Sequence, residues 1–107
     1  MGQFVHPNLS DVPLASVLHA LADPARLAMV RRLHEDDTRD GEGLSCSEGA
    51  CPDLPRATMS NHYTVLRQAG LIESRKCGVR VLNRLRTSDV EARFPGVLEA
   101  ILAAGQG

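Results

Sequence analysis

A change of hydrophobic period at Gly70 restricts the fold of this 107-residue chain more than any other feature. Over residues 55–69 apolar side chains recur at helical spacing, and from Ile72 to Leu85 they alternate with polar ones around a Cys77-Gly78 turn. The inner face of the helix is predicted to hold Met59, Tyr63 or His62, Leu66 and Ala69. Gly70 supplies the left-handed cap that ends it. The sequence therefore predicts a helix that leads directly into a β-hairpin.

Capping signals place further helices on both sides of this unit. Asp11 with Pro13 predicts a helix over 12–22, and Asp23 with Pro24 predicts a second over 24–34. The acidic stretch 35–43 contains glycine and has no apolar rhythm, so it is interpreted as a loop. The remaining signals are a capping box of Ser45 and Glu48 before Pro52, a second one of Ser88 and Glu91, and Pro95-Gly96, which should kink or split the last helix.

The composition favours helices packed on helices. Hydrophobic residues make up 43% of the chain but aromatic residues only 3%, so the core must consist of aliphatic side chains. The predicted fold class is mainly α with a β-hairpin, in the order α-α-α-α-β-β-α, as one domain over 12–104 behind a flexible N-terminal tail over 1–11. No secretory or membrane-spanning segment is evident, and the odd count of three cysteines fits a reducing compartment. A soluble, cytoplasmic protein is therefore expected.

Charge is strongly segregated along the chain, although the net charge is only −1. Residues 35–53 contain seven acidic residues and one basic, whereas residues 54–86 contain seven basic residues and one acidic. Because screening limits electrostatic interactions to about 8 Å at physiological salt, a phosphate backbone would respond to the basic stretch and not to the average. The alternative is a merely solvated basic face. No G-x-S-x-G, H-E-x-x-H, P-loop or C-x-x-C motif is present, so an enzyme is not expected.

The outer face of the predicted 55–69 helix suits double-stranded DNA. Small polar and basic side chains lie opposite its apolar stripe: Arg56, Ser60, Asn61, Thr64, Arg67 and Gln68. On the hairpin, Arg80, Arg84 and Arg86 alternate with apolar residues and fall on one face. A helix that enters the major groove, followed by a basic hairpin, is typical of a winged helix-turn-helix.

Two segments resemble the ArsR/SmtB family of small bacterial repressors. They are "LHALADPARLAMVRRL" (18–33) and "TMSNHYTVLRQAGLIESRKCGVRVLNRL" (58–85), and the likeness extends from about residue 12 to residue 103. The resemblance implies a homodimer on an imperfect palindrome, joined through its first and last helices, whose DNA affinity an inducer lowers. It also implies DNA contacts from Arg56, Thr58, Ser60, Asn61 and His62, and from Arg80 in the wing. With the outward-facing Thr64 and Arg67, these residues form the predicted DNA-binding set.

The last helix supports a dimer on physical grounds. From Val90 onward its apolar stripe is longer than a chain of this size readily buries, and a two-fold partner would cover it. The predicted dimerisation residues are Leu14, Val17, Val97, Leu98, Ile101 and Leu102. A dimer would place two recognition helices about 34 Å apart, which is one turn of DNA. The alternative is that this helix only closes the core of its own subunit.

Three residues are candidates for binding a metal or sensing an oxidant: Cys46, Cys51 and His6. Cys46 is the expected first residue of the short helix, where free backbone donors favour a thiolate. Cys51 converges on it only if the chain folds back near Gly49. In metalloid-sensing relatives this helix carries a C-x-C pair followed by a third cysteine, whereas this chain reads "SCSEGAC". The alternative is that Cys46 has only a structural role, as a small core residue.

The candidate inducers are therefore nickel, zinc, copper and arsenic, and no cofactor is expected to be required for DNA binding. The family's other metal site, with D-x-H at the start of the last helix, is not matched, because Leu102 and Gly105 stand where its second half should lie. Cys77, at the tip of the hairpin, is a candidate for modification. A different interpretation is an adaptor that keeps the fold but acts through a separate sensor protein, with the acidic stretch 35–53 as its contact surface.

Overall fold

The computed structural model describes residues 4–49 and 53–104, which form six α-helices, one 3₁₀ turn and a three-stranded antiparallel sheet. The helices are α1 (Leu14–Leu21), α2 (Pro24–Thr38), α3 (Cys46–Gly49), α4 (Arg56–Gln68), α5 (Thr87–Arg93) and α6 (Val97–Ala104), and the 3₁₀ turn is Leu9–Asp11. The strands are β1 (Leu44–Ser45), β2 (Ile72–Cys77) and β3 (Arg80–Leu85). The predicted class, mainly α with a hairpin wing, is confirmed. No helix in the described ranges has the length and apolar character needed to cross a bilayer.

The sequence predicts the start of α2 correctly but not the start of α1. The carboxylate of Asp23 accepts hydrogen bonds from the backbone N–H groups of Ala25 (2.8 Å) and Arg26 (3.2 Å), and Pro24 is the first residue of α2, as predicted. The N-cap predicted at Asp11 is wrong. Asp11 ends the 3₁₀ turn, and α1 follows Pro13 without a side-chain cap.

Helix α2 continues to Thr38, so the loop predicted to start at residue 35 is wrong over its first four positions. Acidic residues are unfavourable at a helix C-terminus, but here they have partners outside the helix. Asp36 accepts a hydrogen bond from the backbone N–H of Gly43 (3.0 Å), and Asp37 accepts one from the Thr87 hydroxyl (3.0 Å). The first contact comes from the loop after α2 and the second from a distant part of the chain, and both stabilise the last turn of α2.

The sheet has the strand order β1-β3-β2, and β1 was not predicted from the sequence. This strand is only two residues long, too short to show an alternating pattern, and it is held by pairing of Leu44 with Asn83. The capping box that follows it is confirmed. The backbone N–H of Ser45 donates to the Glu48 carboxylate (2.8 Å), and the Ser45 hydroxyl accepts from the Glu48 N–H (3.3 Å).

The junction between α4 and the hairpin forms as predicted. Gly70 has φ +77°, its N–H donates to the Arg67 carbonyl (3.0 Å), and the Leu71 N–H donates to the Leu66 carbonyl (3.1 Å), which is a Schellman motif. The hairpin turn lies at Gly78-Val79, one residue later than predicted, because Cys77 still pairs with Arg80. The chain therefore reverses from the end of α4 into β2 within a few residues.

The C-terminal region is split in two, as Pro95-Gly96 predicts. The second capping box is wrong, because α5 begins at Thr87 without a side-chain cap. The Glu91 carboxylate instead accepts a hydrogen bond from the backbone N–H of Gly96 (3.1 Å), directly before α6. Glu91 thus joins the two short helices across the turn between them.

The part of the predicted flexible tail that the structure describes, residues 4–11, lies against the domain. Leu9 is buried in the core, and the backbone carbonyl of Pro7 accepts a hydrogen bond from the Arg86 guanidinium (2.9 Å). The ring Nε2 of His6 accepts one from the backbone N–H of Ser74 in β2 (2.9 Å). Burial, helped by the charge of Arg86, holds the pKa of His6 below its ordinary value, which suits this role as a neutral acceptor.

The core is aliphatic, as the composition predicts. Met29, Val30 and Leu33 of α2 are fully buried and belong to one cluster with Val17 of α1 and Leu66 of α4. On α4 the structure buries both residues that the sequence offered as alternatives, His62 and Tyr63. Since α4 is held by this inner face, its opposite face is fixed toward solvent.

Candidate nucleic-acid interface

The outer face of α4 exposes the residues most suited to DNA. Arg56, Ser60 and Asn61 are exposed, and none of their side chains forms a hydrogen bond with another described residue. Thr58 is partly buried beside them. The Thr64 hydroxyl donates to the Ser60 carbonyl (3.0 Å), so it is already engaged within the helix. The first two turns of α4 therefore present a guanidinium, a hydroxyl and an amide with free donors and acceptors.

His62 does not belong to this surface. Its side chain is only 7% exposed, and its Nδ1 lies 3.2 Å from Nη1 of Arg26. An arginine can only donate, so Nδ1 of His62 must be the acceptor. The helical position that the family resemblance assigns to DNA contact is thus turned into the domain in this structure, and His62 packs α4 onto the preceding helices.

Arg26 links three helices, and its role was not predicted from the sequence. Its Nε donates to the Ala20 carbonyl (2.7 Å) and its Nη2 to the His19 carbonyl (3.3 Å), which satisfies the C-terminal end of α1. The third nitrogen reaches His62 on α4. The signal in the sequence was an arginine within the otherwise apolar stripe of α2. Arg26 therefore fixes the recognition helix relative to α1 and α2.

Arg67 is also turned away from the outer face of α4. Its guanidinium is partly buried and donates to the hydroxyls of Ser74 (3.0 Å) and Thr64 (3.3 Å), and it stacks on the ring of Phe4 at 4.6 Å. Burial lowers the pKa of Arg67, and the nearby Cys46 acts in the opposite direction. No carboxylate in the described part of the chain forms an ion pair with this cation.

A buried polar chain connects Arg67 to Cys46 through the sheet. The Ser74 hydroxyl that accepts from Arg67 donates to the side-chain oxygen of Asn83 at 2.6 Å. The amide nitrogen of Asn83 in turn lies 3.6 Å from Sγ of Cys46. Ser74 and Asn83 face each other on β2 and β3, both buried. The signal in the sequence was a pair of polar residues, Ser74 and Asn83, at inward positions of the hairpin.

Two arginines of strand β3 are paired with acidic residues of the same subunit. Arg80 forms an ion pair with Glu48 (3.2 Å), and Arg84 forms one with Asp37 (3.6 Å). Hydrogen bonds from Ser45, together with Arg80, hold the pKa of Glu48 below its ordinary value. The acidic and basic stretches of the sequence thus fold against each other. Exposed ion pairs of this kind are weak, typically below about 1 kcal/mol, so a phosphate can replace the carboxylate.

The candidate metal or redox residues are not brought together in the described part of the chain. Cys46 is the first residue of α3, as predicted, and its backbone carbonyl accepts from the Tyr63 hydroxyl (2.7 Å). The Nε2 of His6 accepts a hydrogen bond from the backbone N–H of Ser74. Cys51 lies outside the described residues, and within them no group of three or more His, Cys, Asp or Glu side chains could hold a metal ion. Cys77 is exposed at the tip of the hairpin.

The predicted dimerisation residues divide into two groups. Val17, Leu98 and Leu102 are buried in the core of their own subunit. Leu14 is 41% exposed, and Val97 and Ile101 are partly buried at the edge of the core. Leu18, one turn after Leu14, is 45% exposed and was not in the predicted set. Of the predicted set, Leu14 is therefore the most exposed, and with Leu18 it forms an apolar surface on α1.

Comparison with known proteins agrees with this geometry. A model of a family described as "Helix-turn-helix domain" matches residues 21–75. The uncharacterised HTH-type transcriptional regulator YceK of Bacillus subtilis (strain 168) is 35% identical over 88 residues, which cover 81% of this chain and 84% of that one.

Solved structures extend the comparison. An ArsR family transcriptional regulator is 29% identical, with a TM-score of 0.62 and coverage of 87% of this chain and 86% of that one. The transcriptional repressor BigR from Xylella fastidiosa is 26% identical, with a TM-score of 0.57 and coverage of 82% and 84%. An ArsR-like transcriptional regulator from Rhodococcus sp. RHA1 is 26% identical, with a TM-score of 0.53 and coverage of 87% and 82%.

Fold, exposed recognition helix and comparisons together define a DNA-binding transcription regulator of the winged helix-turn-helix class, and not an enzyme. The likeness to the similar solved structures covers 82–87% of this chain. The chain belongs to the ArsR family.

Proposed function

We propose that this regulator is a repressor that binds a palindromic operator as a homodimer. The observation that carries the proposal is the outer face of α4, where Arg56, Ser60 and Asn61 are exposed and without partners in the described part of the subunit. The similar structure of BigR is that of a protein named a transcriptional repressor, which supports this mode of action.

The chemistry of α4 suits recognition in the major groove. The guanidinium of Arg56 can bind a phosphate or the acceptors of a guanine edge, and the amide of Asn61 can pair with an adenine edge. The hydroxyl of Ser60 suits a phosphate oxygen. In the wing, Arg80 is held near α4 by Glu48, and a backbone phosphate would take the place of that carboxylate. Arg80 would thus exchange its partner Glu48 for a phosphate when the protein binds DNA.

The first test removes side chains from α4. We expect Arg56→Ala and Asn61→Ala each to weaken operator binding by roughly 1–3 kcal/mol, because each would lose contacts to bases or phosphates. Arg56→Ala should also reduce the salt dependence of the affinity, since one phosphate contact is lost. Fluorescence anisotropy with DNA selected by co-purification, at several salt concentrations, measures both quantities.

Arg39→Ala is the matched control, because Arg39 is an exposed arginine at the end of α2 that donates only to the Glu35 carbonyl. It removes the same charge away from α4 and should leave the affinity nearly unchanged. Equal affinities for all three variants and the wild type would contradict the proposed surface. A complete lack of salt-dependent DNA binding would instead favour an adaptor that acts through a separate sensor protein.

We propose further that a thiol-directed signal at Cys46 releases the DNA, delivered by a thiophilic metal or metalloid, such as arsenic, zinc, copper or nickel, or by an oxidant. Support comes from the polar chain that runs from Sγ of Cys46 through Asn83 and Ser74 to Arg67 on the recognition helix. A ligand or oxygen atom on the sulfur would disturb the Asn83 amide, and the disturbance would reach α4 through two further hydrogen bonds. DNA binding itself needs no cofactor in this proposal.

Cys46→Ser is the test of the signal. We expect this variant to bind DNA like the wild type but to remain bound when arsenite, zinc, copper, nickel or peroxide is added, because a serine hydroxyl neither binds soft metals nor oxidises. Anisotropy of the preformed complex during titration gives the readout. Cys77→Ser, at the exposed wing tip, is the control and should release normally. Normal release from the Cys46→Ser complex would remove the thiol from the mechanism.

A further inference from the structure

A cavity of about 460 Å³ lies between α3, helix α4 and strand β3, with Phe4 of the N-terminal segment on one side. Its volume is within the range of about 300–1,000 Å³ that small-molecule sites occupy. Cys46 and Ser47 contribute from α3, and Arg56 and Ser60 contribute from the DNA-facing side of α4. The cavity therefore opens next to the residues proposed to contact DNA.

The charges around this cavity are unbalanced. Three of its described lining residues are arginines, Arg56, Arg67 and Arg80, and no described lining residue is acidic. Only Arg80 has a carboxylate partner, Glu48. Arg67 in particular lacks an anionic partner, because it is partly buried and its guanidinium donates only to neutral hydroxyls. Removing a cation from water without an anionic partner is costly, and a bound anion would offset that cost.

The lowered pKa of Arg67 agrees with this imbalance. Burial disfavours its charged form, and the one group that acts in the opposite direction is Cys46. In the ordinary case a buried arginine is matched by an aspartate or glutamate. No carboxylate of the described residues pairs with Arg67, so an anion bound in the cavity would supply the compensating charge.

The remaining walls are apolar. Phe4, Met59, Tyr63 and Val81 line the cavity, and the Phe4 ring already stacks on Arg67 at 4.6 Å. An inorganic phosphate would leave these surfaces without contact. A flat apolar body would cover them, while its anionic group lies beside the guanidinium groups.

We infer that this cavity binds a small organic anion, a carboxylate or sulfonate on an aromatic or other flat apolar body. Because Arg56 and Ser60 line the cavity and also belong to the proposed DNA surface, the anion and the operator would compete for them. This part of the inference rests on the proposed function, and it makes the bound anion a second route to release that needs no reaction at the Cys46 sulfur.

The test uses 2-naphthoate as the probe, with neutral 2-naphthamide and inorganic phosphate as comparisons, titrated into the full chain without DNA by calorimetry. We expect 2-naphthoate to bind roughly tenfold or more tightly than either comparison, because it alone combines an apolar body with hydrogen bonds to a charged group. Equal binding of naphthoate and naphthamide, or of naphthoate and phosphate, would overturn the inference.

Two variants locate the site. Arg67→Gln should weaken naphthoate binding by roughly tenfold or more, while Arg75→Gln, an exposed arginine of β2 that donates to the Glu42 carbonyl, should not change it. Ser47→Phe fills the cavity from an exposed position on α3 and should also abolish binding, which keeps the test valid if Arg67→Gln fails to fold. Unchanged binding in Ser47→Phe would place naphthoate elsewhere and overturn the inference.

Competition is measured separately from binding. Naphthoate should displace a bound operator fragment from the wild type but not from Ser47→Phe, provided that this variant still binds DNA. If the chain binds naphthoate as described but no DNA, the proposed repressor function fails and the anion site stands. If it binds DNA but not naphthoate, the anion site fails and the repressor proposal stands.

Discussion

Replacing Arg26 with alanine is expected to lower the free energy of unfolding by about 2–4 kcal/mol. The guanidinium satisfies the carbonyls of His19 and Ala20 and the Nδ1 of His62, and it is itself buried. Alanine leaves all three acceptors without that donor, in a region that water cannot readily enter. For a domain of this size, the loss corresponds to a fall in the melting temperature of about 4–8 °C for each kcal/mol.

The measurement is urea unfolding followed by circular dichroism, with two comparison variants. Arg32→Ala lies on the exposed side of the same helix, where Arg32 makes a single long hydrogen bond to the Glu48 carbonyl (3.4 Å), and it should cost less than about 0.5 kcal/mol. Arg26→Lys keeps the charge but lacks the planar fork, so it should lie between Arg26→Ala and the wild type. A loss in Arg26→Ala no larger than in Arg32→Ala would show that Arg26 does not hold the helices together.

The elements that the sequence predicts well are those whose causes are local. Asp23 and Pro24 begin α2, and Gly70 ends α4, because each acts on backbone groups within a few residues of itself. The capping box of Ser45 and Glu48 is local in the same way. The structure keeps these signals, whereas the equally local caps expected at Asp11 and at Ser88 with Glu91 are replaced by other contacts.

The features that the sequence does not predict depend on partners far along the chain. Strand β1 exists because Leu44 meets Asn83, and the end of α2 is helical because Asp37 meets Thr87. The N-terminal segment lies on the domain because His6 meets Ser74. In each case a short or polar segment has no periodic signal of its own, and its conformation is decided by the surface it reaches.

The same distinction between local and distant causes applies to the residues of α4. The periodicity of α4 correctly predicts that Arg56, Ser60 and Asn61 face outward, since their position follows from the inner stripe alone. It offers His62 for the inner face only as an alternative to Tyr63, and it does not predict that Arg67 turns inward, because both side chains are held by residues on other elements, Arg26 and Ser74. A polar residue at the edge of an apolar stripe can find hydrogen-bond partners inside the domain. Whether its side chain faces the core or the solvent is then decided by tertiary contacts.

A double substitution on α1 tests the dimer and should have the largest effect on DNA binding. Leu14 and Leu18 are 41% and 45% exposed, so Leu14→Lys with Leu18→Lys should cost the folded subunit little. If the first helix forms the two-fold interface, four new positive charges would face one another across it. The variant should then sediment as a monomer, and its affinity for a palindromic operator should fall by roughly 10²–10⁴, because the second half-site is no longer bound intramolecularly.

Val5→Lys is the matched control, because Val5 is 89% exposed on the N-terminal segment and the change adds the same type of charge at an apolar surface position. It should remain dimeric and bind the operator normally. A single half-site fragment separates the two steps, since the monomeric variant should bind it as well as the wild type does when α4 is intact. A dimer that persists in the Leu14→Lys, Leu18→Lys variant would place the interface on other residues, with Val97 and Ile101 at the edge of the core as the next apolar surface.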